Sequence, residues 1–148
     1  MAKYVIVAHR AVFMRNVIVS ALKKIGYEGI KQDLPTPDPQ WAKDHPYEHL
    51  PMQWEETVQL CNQYEAAAVI ADPSYEGLAF IRDLTAKHPE ITVIACGAEF
   101  RTDIKDNGIQ NPEEVKKAAL DAGAKATARL ILPDPSEELK AALEIALR

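Results

Sequence analysis

Apolar and polar positions follow two different periods along this chain, and the switches between them lay out its elements. Residues 3–8 run apolar on both faces from Val5 onward, the pattern of a central strand in a parallel sheet. Residues 10–25 then place Met14, Val17, Ile18, Ala21, Leu22 and Ile25 on one stripe, which predicts an amphipathic helix. Gly26 stands where such a helix ends in a left-handed cap. Residues 27–31 predict a short, more polar strand at the sheet edge. The alternation continues with a helix over 53–64, carrying Trp54, Val58 and Cys61 on its inner face, and a strand over 67–71. A helix over 74–88, a strand over 91–96, a helix over 112–122, a strand over 127–132 and a helix over 135–147 complete the pattern. Asp72-Pro73, Asn111-Pro112 and Asp134-Pro135 each set a capping side chain before a first-turn proline. Asn111 with Glu114, and Asp134 with Glu137, also have capping-box spacing.

Strands alternating with helices predict one α/β domain with a doubly wound five-stranded parallel sheet. Two segments interrupt the plan. Residues 32–51 read as a connection carrying Pro35, Pro37, Pro39, Pro46 and Pro51, interleaved with Trp41, His45, Tyr47 and His49. Residues 97–110 form a second long connection. Loops beyond about 12–15 residues inside a compact domain are mostly functional or disordered. Both follow strands, so both are expected on the carboxyl edge of the sheet, where open α/β folds bind ligands.

Composition narrows the function classes. At 148 residues the chain fits a single domain able to bury its own core without a metal or disulfide. Cys61 and Cys96 lie far apart in unlike contexts, which argues for a reducing, cytoplasmic setting. No apolar run approaches the roughly 20 residues of a membrane span, and the start passes at once into a strand pattern rather than a signal peptide. A net charge of −5 would repel a phosphate backbone, so nucleic acid is not an expected partner. The six glycines, at 26, 29, 77, 97, 108 and 123, form neither a dinucleotide-binding fingerprint nor a phosphate-binding loop. No cofactor is expected.

The order and spacing of several short stretches resemble the receiver domain of response regulators. These are Val5-Ile6-Val7 leading into a helix that ends Lys24-Ile25-Gly26, Val69-Ile70-Ala71-Asp72, and the helix Gly77-Leu78-Ala79-Phe80-Ile81-Arg82-Asp83-Leu84. Val93-Ile94-Ala95-Cys96, Ala119-Leu120-Asp121-Ala122-Gly123-Ala124 and Leu132-Pro133-Asp134-Pro135 continue the series. The resemblance covers nearly the whole chain apart from the two long connections, and implies a sheet of order 2-1-3-4-5.

Receiver chemistry needs an acidic pair after the first strand to hold Mg²⁺, and an aspartate after the third to take a phosphoryl group. It also needs a hydroxyl residue after the fourth strand and a lysine after the fifth. Here Ala8 and His9 replace the acidic pair, followed by Arg10; Cys96 or Gly97 takes the hydroxyl position, and Leu132 the lysine position. No aromatic residue lies between Gly123 and Pro133, where receivers carry their switch residue. Asp72 alone survives, and as Asp-Pro at a strand-to-helix junction it reads as a helix cap before a phosphorylation site. The expectation is a pseudo-receiver that is not an enzyme: a phosphorylation-independent protein-interaction or dimerisation module. The resemblance implies a homodimer through the face of the fourth helix, fifth strand and closing helix.

The alternative is a small anionic-ligand-binding protein or small enzyme using the carboxyl-edge crevice. His9, Arg10, Asp72, Ser74 and Arg101 are its candidate ligand-binding residues, since cations and a helix start would face one crevice. Equally, both arginines could be solvated or paired with Glu76, Glu99 and Asp103. Trp41 and Tyr47, with Phe100 opposite, are candidate partner-binding residues, because aromatic side chains dominate interface hot spots. The same loop could instead fold back and bury Trp41. No metal site is expected: Pro46 separates His45 from His49, and His9, Asp72 and Cys96 fall short of a full ligand set. Cys96 ends a buried strand and reads as a small core residue rather than a nucleophile.

Overall fold

Five strands pair side by side in the order β2-β1-β3-β4-β5, every neighbour parallel, in a computed structural model describing residues 3–9, 12–32, 38–45, 54–73, 77–97 and 112–148. The strands are β1 (Lys3–Ala8), β2 (Tyr27–Lys31), β3 (Ala68–Ala71), β4 (Val93–Gly97) and β5 (Ala126–Arg129). Six helices are described: α1 (Val12–Lys24), α2 (Pro39–Asp44), α3 (Trp54–Tyr64), α4 (Gly77–Lys87), α5 (Pro112–Ala122) and α6 (Ser136–Ala146). The expected fold class and strand order are both present.

The two-sided apolar strands follow from two-sided cover. Val5, Val7, Ile70, Ile94 and Cys96 point to one face, where α1 supplies Ile18, Ala21 and Leu22 and α6 supplies Leu139, Ala142 and Leu143. Ile6, Ala8, Val69, Ala71 and Ala95 point to the other, against Leu78, Phe80, Ile81 and Leu84 of α4 and Ala119 of α5. Alternate residues of a strand face opposite sides, so each central strand feeds both cores and tolerates no polar position. Among the described residues β2 has no partner on its outer side, and its residues are half-buried or exposed, as an edge strand's should be.

Local chemistry sets the helix ends. Gly26 closes α1 at φ +92°, and the chain returns so tightly that a Cβ on Gly29 would come within 2.9 Å of Val19 Cγ2. At the end of α5, Gly123 N–H donates to Leu120 O and Ala124 N–H to Ala119 O, the paired bonds of a Schellman cap. Before α6, the Asp134 carboxylate accepts the Ser136 N–H at 3.0 Å, one residue ahead of Pro135, which stands at the N-cap itself; Lys24 Nζ holds the same carboxylate at 2.9 Å.

The structure revises part of the expected layout. Residues 32–51 do not form an unstructured connection throughout, because α2 lies within them. Asp38-Pro39 opens α2 with proline in its first turn, the arrangement that starts other helices of this chain. β5 stops at Arg129 instead of reaching Leu132: among the described residues its partner strand is β4, whose last residue, Gly97, is registered on Arg129. Beyond one further bond, from Leu130 N–H to Gly97 O, Ile131 and Leu132 stand exposed. The connection at 98–111 lies outside the described residues. Among the described residues, no helix is long and apolar enough to cross a membrane.

Candidate functional site

Parallel register assembles the site. Ala8 of β1 is registered on Ala71 of β3, so the next residue on each strand, His9 and Asp72, emerges at the carboxyl edge beside the other. His9 Nε2 lies 3.1 Å from Asp72 Oδ2, within reach for the imidazole to donate to the carboxylate. The His9 side chain is 7% exposed and that of Asp72 24%, so the pair is sheltered on the histidine side and open to solvent on the other. The close approach of Gly77 to the Asp72 carbonyl holds the junction after β3, since a Cβ on Gly77 would collide with that oxygen.

Cys96 ends its side of the site at the carboxyl end of β4, fully buried. Burial pushes its thiol pKa up, and the nearby carboxylates of Asp72 and Glu138 push it further in the same direction. That is the opposite of what a nucleophilic cysteine needs, and the core reading holds. Cys61 on α3 is likewise pushed up, to about 11, by burial.

A second polar group stands beside the pair. Gln32 follows β2 as His9 follows β1, with its N–H donated to Val7 O, and it is fully buried. Thr57 of α3, also fully buried, donates its hydroxyl to Gln32 Oε1 at 2.6 Å. Arg15 Nη1 of α1 donates to Gln32 O at 2.6 Å, while Arg15 Nε is buried without a hydrogen-bond partner among the described residues. Sequence reasoning passed over this cluster. Its one signal was Thr57, a polar residue on the stripe defined by Trp54, Val58 and Cys61.

Of the expected ligand-binding residues, His9 and Asp72 are brought together. Arg10, Ser74 and Arg101 lie outside the described residues, as do Tyr47 and Phe100 of the expected partner-binding set. Trp41 sits on α2 with its ring stacked on His45, centroids 4.6 Å apart. Among the described residues, α2 packs closely on no other helix or strand. A Mg²⁺ site of the receiver kind would need several hard oxygen donors around Asp72. The described residue against that carboxylate offers a nitrogen, and no group of three or more described His, Cys, Asp or Glu residues could hold a metal. Among the described residues the donor set therefore does not fit the ion.

No family model matches the chain, and no characterised protein sequence does either. Solved structures match well. The receiver domain of NtrX from Brucella abortus superposes with a TM-score of 0.63 at 18% identity, over 97% of each chain. The Vibrio cholerae chemotaxis protein CheY4 superposes at 0.62 and 14% identity, over 99% of this chain and 100% of its own. The chain has the receiver fold. HP1043, an orphan response regulator of H. pylori, agrees at 0.59 and 17% identity over 99% of this chain. Against a longer NtrX chain the receiver-like domain spans only 27% of the length. At such identities the likeness speaks for fold alone.

Proposed function

We propose that this receiver-fold chain is a pseudo-receiver, a phosphorylation-independent module for protein interaction or dimerisation. The observation that carries the reading is the His9–Asp72 pair. The aspartate standing at the end of β3 is engaged by a neighbouring imidazole at 3.1 Å, where a phosphoryl-accepting site would need carboxylates and a divalent ion. Leu132, exposed after β5, brings no charge to neutralise a phosphoryl oxygen. Phosphoryl transfer depends almost wholly on positioning and charge, so an aspartate without those charges is poorly equipped for it. The partner is a protein, with a second copy of the chain meeting the α5-β5-α6 face as one form of that interaction.

The test is a titration of beryllofluoride with Mg²⁺ while amide chemical shifts are recorded, paired with sedimentation equilibrium. The expected outcome is no saturable shift at Asp72 and an oligomeric state that the additive leaves unchanged. Saturable shifts centred on Asp72 would overturn the proposal. The crevice reading, with Arg10, Ser74 and Arg101 beside His9 and Asp72, would gain if phosphate alone gave saturable shifts at that edge.

A further inference from the structure

At the opposite, amino edge of the sheet a cleft of about 300 Å³ opens between the ends of α4 and α5 and the residues leading into β4 and β5. We infer that this cleft binds a small amphipathic carboxylate, its apolar body on the floor and its anionic head between Arg82 and Lys125. The inference does not depend on the reading of the His9–Asp72 edge, and either can fail alone.

Three observations support it. The floor is apolar, formed by Ala86, Pro89, Ile91 and Ala122. The walls are locked together: Thr85 Oγ1 on α4 lies 2.8 Å from Ala122 O on α5 as well as from Ile81 O. Gly123, at φ +123°, leaves the space that the Thr85 side chain fills. A cleft held this way exists before a ligand arrives, and a preformed site loses little affinity to ordering.

The third observation is the charge balance. Helix carboxyl ends repel anions through their unpaired carbonyls. Hydrogen bonds cover part of those helix ends here. Gly123 and Ala124 N–H groups take Leu120 O and Ala119 O, His88 N–H takes Leu84 O, Ile91 N–H takes His88 O, and Thr85 reaches Ala122 O. Arg82 and Lys125 line the cleft, and among the described residues neither meets a carboxylate within ion-pair distance. Lys24, His88 and Lys116 do meet one. Two uncompensated cations over an apolar floor, on a chain of net charge −5, select an anion with a hydrophobic body.

Benzoate is the probe, followed by amide chemical shifts, with benzyl alcohol as its neutral analogue. Saturable benzoate shifts are expected over 82–91 and 122–125, with benzyl alcohol at least about tenfold weaker because it forfeits the charge-assisted contacts. Arg82→Gln with Lys125→Gln, both exposed positions, should weaken benzoate by about tenfold or more while leaving the melting temperature unchanged. Ala86→Leu, which fills the floor from an exposed helical position, should also abolish saturation. The inference is overturned if benzoate fails to saturate below about 20 mM. Equal binding of benzyl alcohol, or benzoate affinity left unchanged by the double glutamine variant, overturns it too.

Discussion

Removing the imidazole from Asp72 should cost this protein measurable stability, and part of that cost should belong to the pair rather than to His9 alone. His9→Ala takes away a donor 3.1 Å from a carboxylate and leaves a side-chain-sized gap at a position 6% exposed. A hydrogen bond to a charged group contributes about 1.5–3 kcal/mol when sheltered. Asp72 is 24% exposed on its side chain, so solvent compensates part of this, and about 1–2 kcal/mol is the figure to expect for the coupling. Lost packing of the ring adds roughly 1–2 kcal/mol to the single variant, giving about 2–4 kcal/mol for His9→Ala. The measurement is a double-mutant cycle of His9→Ala and Asp72→Ala, read from urea midpoints at fixed pH and salt with m-values checked for constancy. Any helix capping by Asp72 enters both arms of the cycle and cancels. Additivity within about 0.3–0.5 kcal/mol would mean that the two side chains do not interact, and the reasoning built on their pairing would fall.

Thr57→Val should cost about 1–3 kcal/mol in the same assay, because it strips the hydroxyl from the buried Gln32 amide; adding Gln32→Leu should recover part of that loss. If the two substitutions simply add, the hydrogen bond is not what holds β2 to α3. Both thiols should resist a disulfide reagent in the native protein at pH 8. Cys61, pushed up to about 11, holds only about 0.1% thiolate there, and Cys96 is raised further by burial. The Cys61 rate should climb as pH rises toward 11, and rapid labelling of Cys96 without unfolding would contradict its place in the core.

The fold was legible because it rests on periodicity that survives averaging over many positions. Apolar runs on both faces of residues 5–8, 68–71 and 93–96 require helices on both sides, and Gly26 marked the end of α1. Legibility failed where the signal was short or conditional. α2 hid among prolines, although Asp38-Pro39 is the same opening recognised at Asp134-Pro135. β5 was read too long because Leu130, Ile131 and Leu132 are apolar, while strand length depends on a partner that stops at Gly97. The His9–Asp72 contact followed from strand order alone, since neighbouring parallel strands in register bring their next residues together. Gln32 with Thr57 could not be found that way: their meeting depends on how α3 packs across β1 and β3.

The two edges of the sheet differ in a way that bears on what each can attract. At the carboxyl edge Asp72 faces His9, and the fully buried Cys96 feels the negative charges of Asp72 and Glu138. Among the described residues, an approaching anion would meet the Asp72 carboxylate before the more sheltered imidazole. At the amino edge hydrogen bonds cover part of the helix ends, and Arg82 and Lys125 line the cleft without an ion-pair partner among the described residues. Surface fields fall off over about 8 Å at physiological ionic strength, so the overall negative charge of the chain does not cancel two cations lining one cleft. Selection among anions must then come from the floor, since exposed cations alone bind inorganic ions weakly and without preference. The apolar surface of Ala86, Pro89 and Ile91 would add affinity in proportion to the hydrocarbon it covers. Acetate should therefore bind more weakly than benzoate at this edge, at equal charge, and equal binding would show that the apolar floor contributes nothing.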